Sequence, residues 1–352
     1  MTELQKYFED LHDKIKLEDE NEVLREKRDI VLNKLKRRLR EIFEEREETP
    51  PTFDHFNRGS YAMGTGIVPI NSDYDIDVGL LFDVCKDDYP DPVIVKKWVH
   101  DALDGHTDEV TIMQPCVRVQ YHLEGEPAYH VDLAVYSHDG NIEESLYLAR
   151  GKPYSTPERK IWELTDPKGL IEAIKNRFDD PDDRTQFRRV IRCLKRWKDV
   201  QFPSDGNAAP IGIGITVAAY YWFEPKRELI DRIKNKYRYD DLNALRSFVC
   251  QMLGRFVVMY HEGEQAERLT VNLPVRPYND LFEKMTNLQM ANFKRKLEDL
   301  DETLEEVEHQ EADPVEACKK LQSQFGDEFP VPETSETAQK KAPAIVSSSA
   351  SA

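Results

Sequence analysis

Gly59-Ser60-Tyr61-Ala62-Met63-Gly64-Thr65-Gly66, followed by Asp73-Tyr74-Asp75-Ile76-Asp77-Val78-Gly79-Leu80-Leu81, is the stretch that decides how this chain is read. A glycine-serine turn opens a short glycine-rich segment, and a strand follows. Side chains alternate along a strand, so Asp75 and Asp77 face one way while Ile76 and Val78 enter the core. No lysine or arginine stands close to the pair in sequence, and two such carboxylates repel each other unless a divalent cation lies between them. Hard oxygen ligands of this kind suit Mg²⁺, which takes one or two carboxylates together with substrate phosphates. The Gly59-Ser60 turn can bring backbone N–H groups and a hydroxyl up to a triphosphate. Asp73 reads as the turn residue that starts the strand rather than as a ligand.

A third carboxylate turns a metal-binding pair into a catalytic set. Asp132 interrupts the apolar run Tyr129-His130-Val131-Asp132-Leu133-Ala134-Val135, and a buried strand rarely carries an aspartate without a partner. If that strand lies beside the first, Asp75, Asp77 and Asp132 converge into a site for two metal ions, suited to activating a 2′- or 3′-hydroxyl against a triphosphate. Asp132 could then also accept the hydroxyl proton. An Asp-x-Asp pair alone is more often a solvated strand edge. It is the combination with the turn, the apolar packing and the isolated strand aspartate that favours catalysis.

The chain has 352 residues, 39% hydrophobic and 33% charged, which is room for about two domains. No apolar run approaches the roughly 20 residues of a membrane span. The start Met1-Thr2-Glu3-Leu4-Gln5-Lys6 has no apolar signal core, so a cytoplasmic location is expected. Five dispersed cysteines without a CxxC pair point to reduced thiols and away from a zinc module. The net charge of −18 argues against long nucleic acid as a partner, because a protein that grips a duplex carries a basic face. A small metal-complexed nucleotide needs only a few local cations.

Residues 4–47 carry apolar side chains at helical spacing and predict one long helix, ended by Thr49-Pro50-Pro51. Strands are expected over 53–57, through Asp75 and Asp77, and over 111–123 and 128–137. The last two are joined at Glu124-Gly125-Glu126-Pro127. A helix is expected over 92–103. The second half predicts helices over 170–178, 184–200, 210–223, 242–258 and 279–324, with a break at Gly206 and Pro210. A small hairpin is expected around Glu262-Gly263-Glu264. Residues 330–352 offer little to bury and predict disorder. The domains expected are an N-terminal spine helix (1–50), a catalytic domain (51–156), a helical lobe (157–329) and a tail (330–352).

The helix over 184–200 is the most basic stretch of this acidic chain. Arg188, Arg192 and Lys195 share one face, and that face either meets a triphosphate or is solvated and paired with acidic neighbours. Tyr220, Tyr221, Trp222, Tyr237, Tyr239 and Tyr278 are the aromatic side chains available for stacking on a base; the sequence singles out none. His55, His130 and His138 have no metal-ligand spacing and read as structural. No Ser/His/Asp or Cys/His arrangement is visible.

Gly59-Ser60, Asp75-Ile76-Asp77 and Asp132 together resemble the signature of the DNA polymerase β-like nucleotidyltransferase superfamily. With the helical second half, Lys195-Arg196-Trp197 and Asn279-Asp280-Leu281-Phe282, the chain is similar to the bacterial cGAS/DncV-like nucleotidyltransferases over roughly residues 4–329. The resemblance implies an α+β fold: a bilobed polymerase β-like core, a mixed sheet with flanking helices, plus a helical second lobe braced by a long N-terminal helix. It implies Mg²⁺-dependent joining of ATP and GTP, two ions with Mn²⁺ able to substitute, into a cyclic di- or trinucleotide messenger of anti-phage (CBASS) defence that activates a downstream effector. By position, Gly59 and Ser60 would hold the triphosphate, Asp75, Asp77 and Asp132 the metals, and Lys195, with Arg192 beside it, the phosphates.

The chain departs from animal relatives in having no Cys/His cluster for a zinc insertion, so activation by duplex DNA is not implied. Pro210-Ile211-Gly212-Ile213-Gly214-Ile215 stands where those relatives use a serine-tyrosine pair, which leaves base choice open. The tail ending Ser347-Ser348-Ser349-Ala350-Ser351-Ala352 suits either plain disorder or attachment by a conjugating partner, as in some defence operons of this type. Linear oligoadenylate synthesis, NMP transfer to RNA or protein, and a non-catalytic nucleotide-binding scaffold are the alternatives.

Overall fold

The computed structural model describes residues 4–17, 22–70, 74–123, 125–138, 146–202, 209–234 and 236–333. Asp73, Gly206 and the tail from 334 onward lie outside the described residues.

A mixed sheet is built from β1 (Phe53–Asn57), β2 (Tyr74–Phe82), β3 (Glu109–Ile112), β4 (Val117–Leu123), β5 (Glu126–His138), β6 (Leu146–Arg150) and β7 (Ile161–Thr165). The strand order is β1-β2-β5-β4-β3, with β6 joined to the far end of β5 and β7 to β6. Only β2 and β5 run parallel; the other neighbours are antiparallel. The sheet thus continues past the expected domain limit at 156, through Thr165. One face is covered by α2 (Glu22–Glu45) and α4 (Val93–Leu103). Val78, Leu80, Val131, Leu133 and Val135 meet Val31, Leu35, Leu39, Val95 and Val99 there, all buried.

The second lobe holds α5 (Pro167–Lys175), α6 (Pro181–Gln201), α7 (Gly212–Trp222), α8 (Asp241–Leu253), α9 (Asn287–His309) and α10 (Pro314–Phe325). Asp166, Asp180, Asp240, Thr286 and Asp313 cap five of these helices by accepting from backbone N–H groups of the first turn. Two hairpins, β8 (Arg227–Asp231) with β9 (Lys236–Tyr239) and β10 (Val257–His261) with β11 (Glu264–Arg268), lie between the helices. The second surrounds the expected turn. The helix predicted over 279–324 divides at residues 310–313, where Pro314 begins α10.

The N-terminal run is two helices, not the single spine expected. α1 (Gln5–Ile15) stops where Lys16 turns extended and bridges Ile67, and α2 starts at Glu22. The division of labour is physical. Leu4, Phe8, Leu11 and Ile15 join the core of the helical lobe, whereas Leu24, Val31, Leu32, Leu35 and Leu39 join the sheet core. A straight helix through both would present one apolar stripe, and the two cores lie in different directions.

α6 is the buried axis of the second lobe. Arg189 on it donates from Nε and Nη2 to Asp241 at 2.6 and 3.0 Å, and Gln186 donates to the same carboxylate at 3.0 Å. Removing one member of such a buried pair leaves the other charge uncompensated. Asp241→Ala is therefore expected to lower the stability of the helical lobe by about 3–5 kcal/mol, read as a shift in the urea midpoint. A change within experimental error would show that water replaces the carboxylate.

Candidate active site

The parallel register of β2 and β5 sets Asp77 opposite Asp132 and Asp75 opposite His130. Directly paired residues share a face of the sheet. The four side chains therefore form a two-by-two array on the face turned away from α2 and α4. Arg118 of β4 extends one row, standing opposite Asp132. Its Nε and Nη2 donate to Asp132 Oδ1 and Oδ2, each at 2.8 Å, a bidentate fork. In the other row His130 Nε2 lies 3.2 Å from Asp75 Oδ1. One donor atom each of Asp75, His130 and Asp132 lies within 4.8 Å of the other two.

The glycine-serine turn closes over this array. It forms the short helix α3 (Gly59–Ala62), entered from an extended Arg58 whose N–H donates to Asp77 O at 3.1 Å. Gly59 has φ +69°, and a Cβ added there would overlap Asp77 Oδ2. Only glycine meets both demands, the left-handed backbone and the missing side chain. The Arg58 guanidinium lies over the Tyr136 ring at 5.8 Å, and its buried Nε has no hydrogen-bond partner among the described residues.

Burial, then the neighbouring Asp75 charge, pushes the Asp77 carboxyl up to about 7 against the opposing pull of Arg58, with Asp132 adding to the rise. The Asp132 fork holds Arg118 firmly charged. Cys116 is buried beside Asp132, and that burial followed by the adjacent carboxylate drives its thiol upward. Burial is the larger cause of the Asp77 rise, and the like charges of Asp75 and Asp132 beside it add to it. The donor set thus fits a divalent ion.

A cleft of about 450 Å³ lies between the sheet and the helical lobe. Arg58, Gly59, Ser60, Asp75 and Asp77 line one wall, and Lys195, Lys198, Asp199 and Gly212 line the other. Its apolar surface comes from Met63, Ile67, Pro167, Leu170, Ile171 and Ile213. No aromatic side chain is among the described residues lining it. The tyrosines considered for base stacking are placed elsewhere; Tyr220, Tyr221 and Trp222 sit at the opposite end of α7 from Gly212.

The basic residues of α6 divide by role. Lys195 lines the cleft, with Nζ donating to Thr65 O at 3.0 Å and Thr65 Oγ1 at 3.3 Å. Burial, followed by the Lys198 and Arg192 charges, brings its amine down to about 7. Arg192 does not line the cleft. Its Nε donates to Gly66 O at 3.0 Å and its Nη2 to Gly64 O at 2.8 Å, while Nη1 meets His12 Nε2 at 2.7 Å. These bonds hold the glycine-rich loop. Sequence reasoning missed Arg58, Arg118 and the placement of His130. Arg58 is signalled only by preceding Gly59, and the other two depend on strand register.

A mixed sheet with an Asp-x-Asp strand beside a third aspartate, a glycine-serine turn over it and a helical lobe across a cleft is the arrangement of the polymerase β-like nucleotidyltransferase fold. Residues 53–136 match the profile described as the cyclic GMP-AMP synthase DncV-like nucleotidyltransferase domain. A cyclic GMP-AMP synthase of Escherichia albertii is 27% identical over 186 residues, 50% of this chain and 40% of that protein. The match therefore spans under half of that curated relative's length. Among solved structures, Vibrio cholerae DncV, a cyclic AMP-GMP synthase, aligns with a TM-score of 0.64 at 16% identity, covering 93% of this chain and 97% of that one. Bradyrhizobium diazoefficiens CdnG in complex with GTP gives 0.66 at 14% identity, covering 93% and 96%. E. coli CdnC with ATP gives 0.62 at 18% identity, covering 92% and 98%. These likenesses establish the fold. No helix among the described residues is long and apolar enough to cross a membrane.

The raised Asp77 carboxyl has a consequence for stability without metal. In the unfolded chain Asp77 loses its proton near 3.8, whereas in the folded chain it keeps it to about 7. Between these values the folded state binds more protons, so raising the pH destabilises it. Asp77→Asn abolishes that titration. In EDTA, the variant's urea stability relative to wild type is expected to gain roughly 2 kcal/mol between about pH 5 and about pH 8. A pH-independent difference would refute the assignment.

Proposed function

We propose that this chain joins NTPs, purine nucleotides foremost, into a cyclic di- or trinucleotide with release of pyrophosphate, and that the product is a messenger of anti-phage signalling read by a downstream effector. The observation that carries this reading is the register that gathers Asp75, Asp77 and Asp132 on one sheet face, with Asp75 and Asp77 at the cleft wall beside the Gly59-Ser60 turn. The nucleotides named with the structural relatives, ATP and GTP, support the purine choice. The CdnC structure in complex with a HORMA protein supports a search for a protein regulator here.

Each wall of the cleft has a chemical task. Arg58, with its unpartnered Nε, Ser60 and Lys195 offer donors to a triphosphate, and Lys198 adds charge at the same wall as Lys195. The aliphatic surface of Met63, Ile67, Leu170, Ile171 and Ile213 excludes water from a bound base or sugar. Asp75, Asp77 and Asp132 would hold Mg²⁺, or Mn²⁺ in its place, which when bound supplies positive charge to the transferring phosphoryl group. A ribose hydroxyl oxygen bonds to the α-phosphorus of a second nucleotide as the bond to pyrophosphate breaks. A carboxylate of the trio would take the hydroxyl proton. Gly59 holds the turn at contact distance from Asp77, so phosphate donors and metal ligands move as one unit. Conjugation of the C-terminal tail by an operon partner would use residues outside those described.

Incubation of purified protein with labelled NTPs and Mg²⁺ or Mn²⁺ tests the reading. A phosphatase-resistant cyclic product is expected from wild type, reduced about a thousandfold or more in Asp75→Asn/Asp77→Asn. Linear, phosphatase-sensitive product would replace cyclisation by simple oligomer synthesis. Label transferred to RNA or protein would point to an NMP transferase. Absence of product with every partner tried would leave a nucleotide-binding scaffold.

A further inference from the structure

The two-by-two array holds a fourth member that the three-aspartate description leaves out. His130 is on β5, two residues before Asp132 and directly opposite Asp75. Its side chain is buried at 9% exposure, whereas Asp75 opens toward the cleft. The imidazole Nε2 lies 3.2 Å from Asp75 Oδ1, and both fall within 4.8 Å of a carboxylate oxygen of Asp132. An ion bound at about 2.1 Å holds two neighbouring ligands about 3.0 Å apart and two opposed ligands about 4.2 Å apart. The observed spacings are those of a slightly open ligand set, with one nitrogen and two oxygens.

We propose that His130 Nε2 is itself a metal ligand and completes, with Asp75 and Asp132, a nitrogen-oxygen site that takes a first-row transition ion in preference to Mg²⁺. The inference rests on the reading above that this acidic face holds a divalent ion, and it adds a ligand and a metal preference. Imidazole is a borderline donor that suits first-row transition ions, while Mg²⁺ demands hard oxygen donors and gives up its water reluctantly. The geometry of the sheet supports the assignment. Strand pairing fixes where the His130 backbone stands, and burial restricts its ring, so Nε2 is presented beside Asp75 without reorganisation. Arg118 holds Asp132 from the opposite side, in the way that hydrogen-bonded partners orient ligating carboxylates.

Mn²⁺ titrated into the nucleotide-free full chain, followed by pulsed electron paramagnetic resonance, reads the ligand directly. The expected result is nitrogen coupling from a bound imidazole. The coupling should change when histidine is labelled with the heavier nitrogen isotope and vanish in His130→Gln. Mn²⁺ affinity should fall about tenfold or more in that variant, with a smaller change for Mg²⁺. The labelled wild type decides the point without any substitution, should His130→Gln fail to fold. Bound Mn²⁺ without nitrogen coupling, coupling that survives in His130→Gln, or no Mn²⁺ binding at all would overturn the proposal. Cyclic product without nitrogen coupling would remove this ligand and leave the proposed synthase standing; nitrogen coupling without product would do the reverse.

Discussion

The parallel pairing of β2 with β5 forces like charges together, and the rest of the molecule is arranged around that repulsion. Two carboxylates on neighbouring strands stand about 5 Å apart, where their repulsion amounts to about 3 kcal/mol at an effective dielectric of about 20. The register nevertheless holds, because it is specified elsewhere. Nine residue pairs from Tyr74–Tyr129 to Phe82–Ser137 define it, and the opposite face buries Val78, Leu80, Val131, Leu133 and Val135 completely. Each such side chain contributes roughly 1.5–3 kcal/mol, and a slip of one residue would turn them all to the wrong face. Packing on one face therefore overrules electrostatics on the other. Arg118, Arg58 and His130 border the acidic pairs and offset part of the cost, but Asp77 remains pushed toward its neutral form.

How much of this was legible in the sequence follows the range of the interactions concerned. Asp75, Asp77 and the Gly59-Ser60 turn are local patterns, so spacing of two and a turn signature suffice to read them. Asp132 stands out because a charge interrupts an apolar strand. The side chains that border the trio carry no local signal. Arg118 reaches Asp132 only through antiparallel register, and His130 meets Asp75 only through the parallel one. The absence of a basic residue near Asp75 and Asp77 in sequence was thus a poor guide to their surroundings in space. The strands β6 to β9 escaped for a related reason. They are four or five residues long and mix charged with apolar side chains, so no period stands out until a partner strand supplies one. The N-terminal segment misled differently. Its apolar spacing is helical on both sides of Lys16, and the break comes from the demand of two separate cores.

α6 shows why a basic stripe is weak grounds for a phosphate site. Arg192, Lys195 and Arg196 donate to the carbonyls of Gly64, Thr65, Gly66 and Val68, none of which leaves a mark in the sequence. A glycine-rich loop pays a high conformational entropy on ordering, and four carbonyl contacts from a buried helix hold it in place. Such hydrogen bonds to charged donors are worth about 1.5–3 kcal/mol each. They tie the glycine-serine turn to the helical lobe, so the two walls of the cleft are set relative to one another before any ligand arrives.

His12 completes that tie through its protonation state. Arg192 Nη1 can donate only to an imidazole nitrogen that carries no proton. Burial, with Arg192 and Arg189 close by, keeps His12 neutral down to about 4, so the contact persists through the physiological range. The guanidinium then serves two carbonyls and one ring nitrogen at once. Across the sheet, Arg118 is likewise taken up by both oxygens of Asp132. Among the described residues, the cations lining the cleft are Arg58, whose Nε has no partner there, Lys195 bonded to Thr65, and Lys198 beside Asp199. A chain of net charge −18 thereby spends most of its cations near the site on fixing shape, and keeps for a ligand only those few that line the cleft.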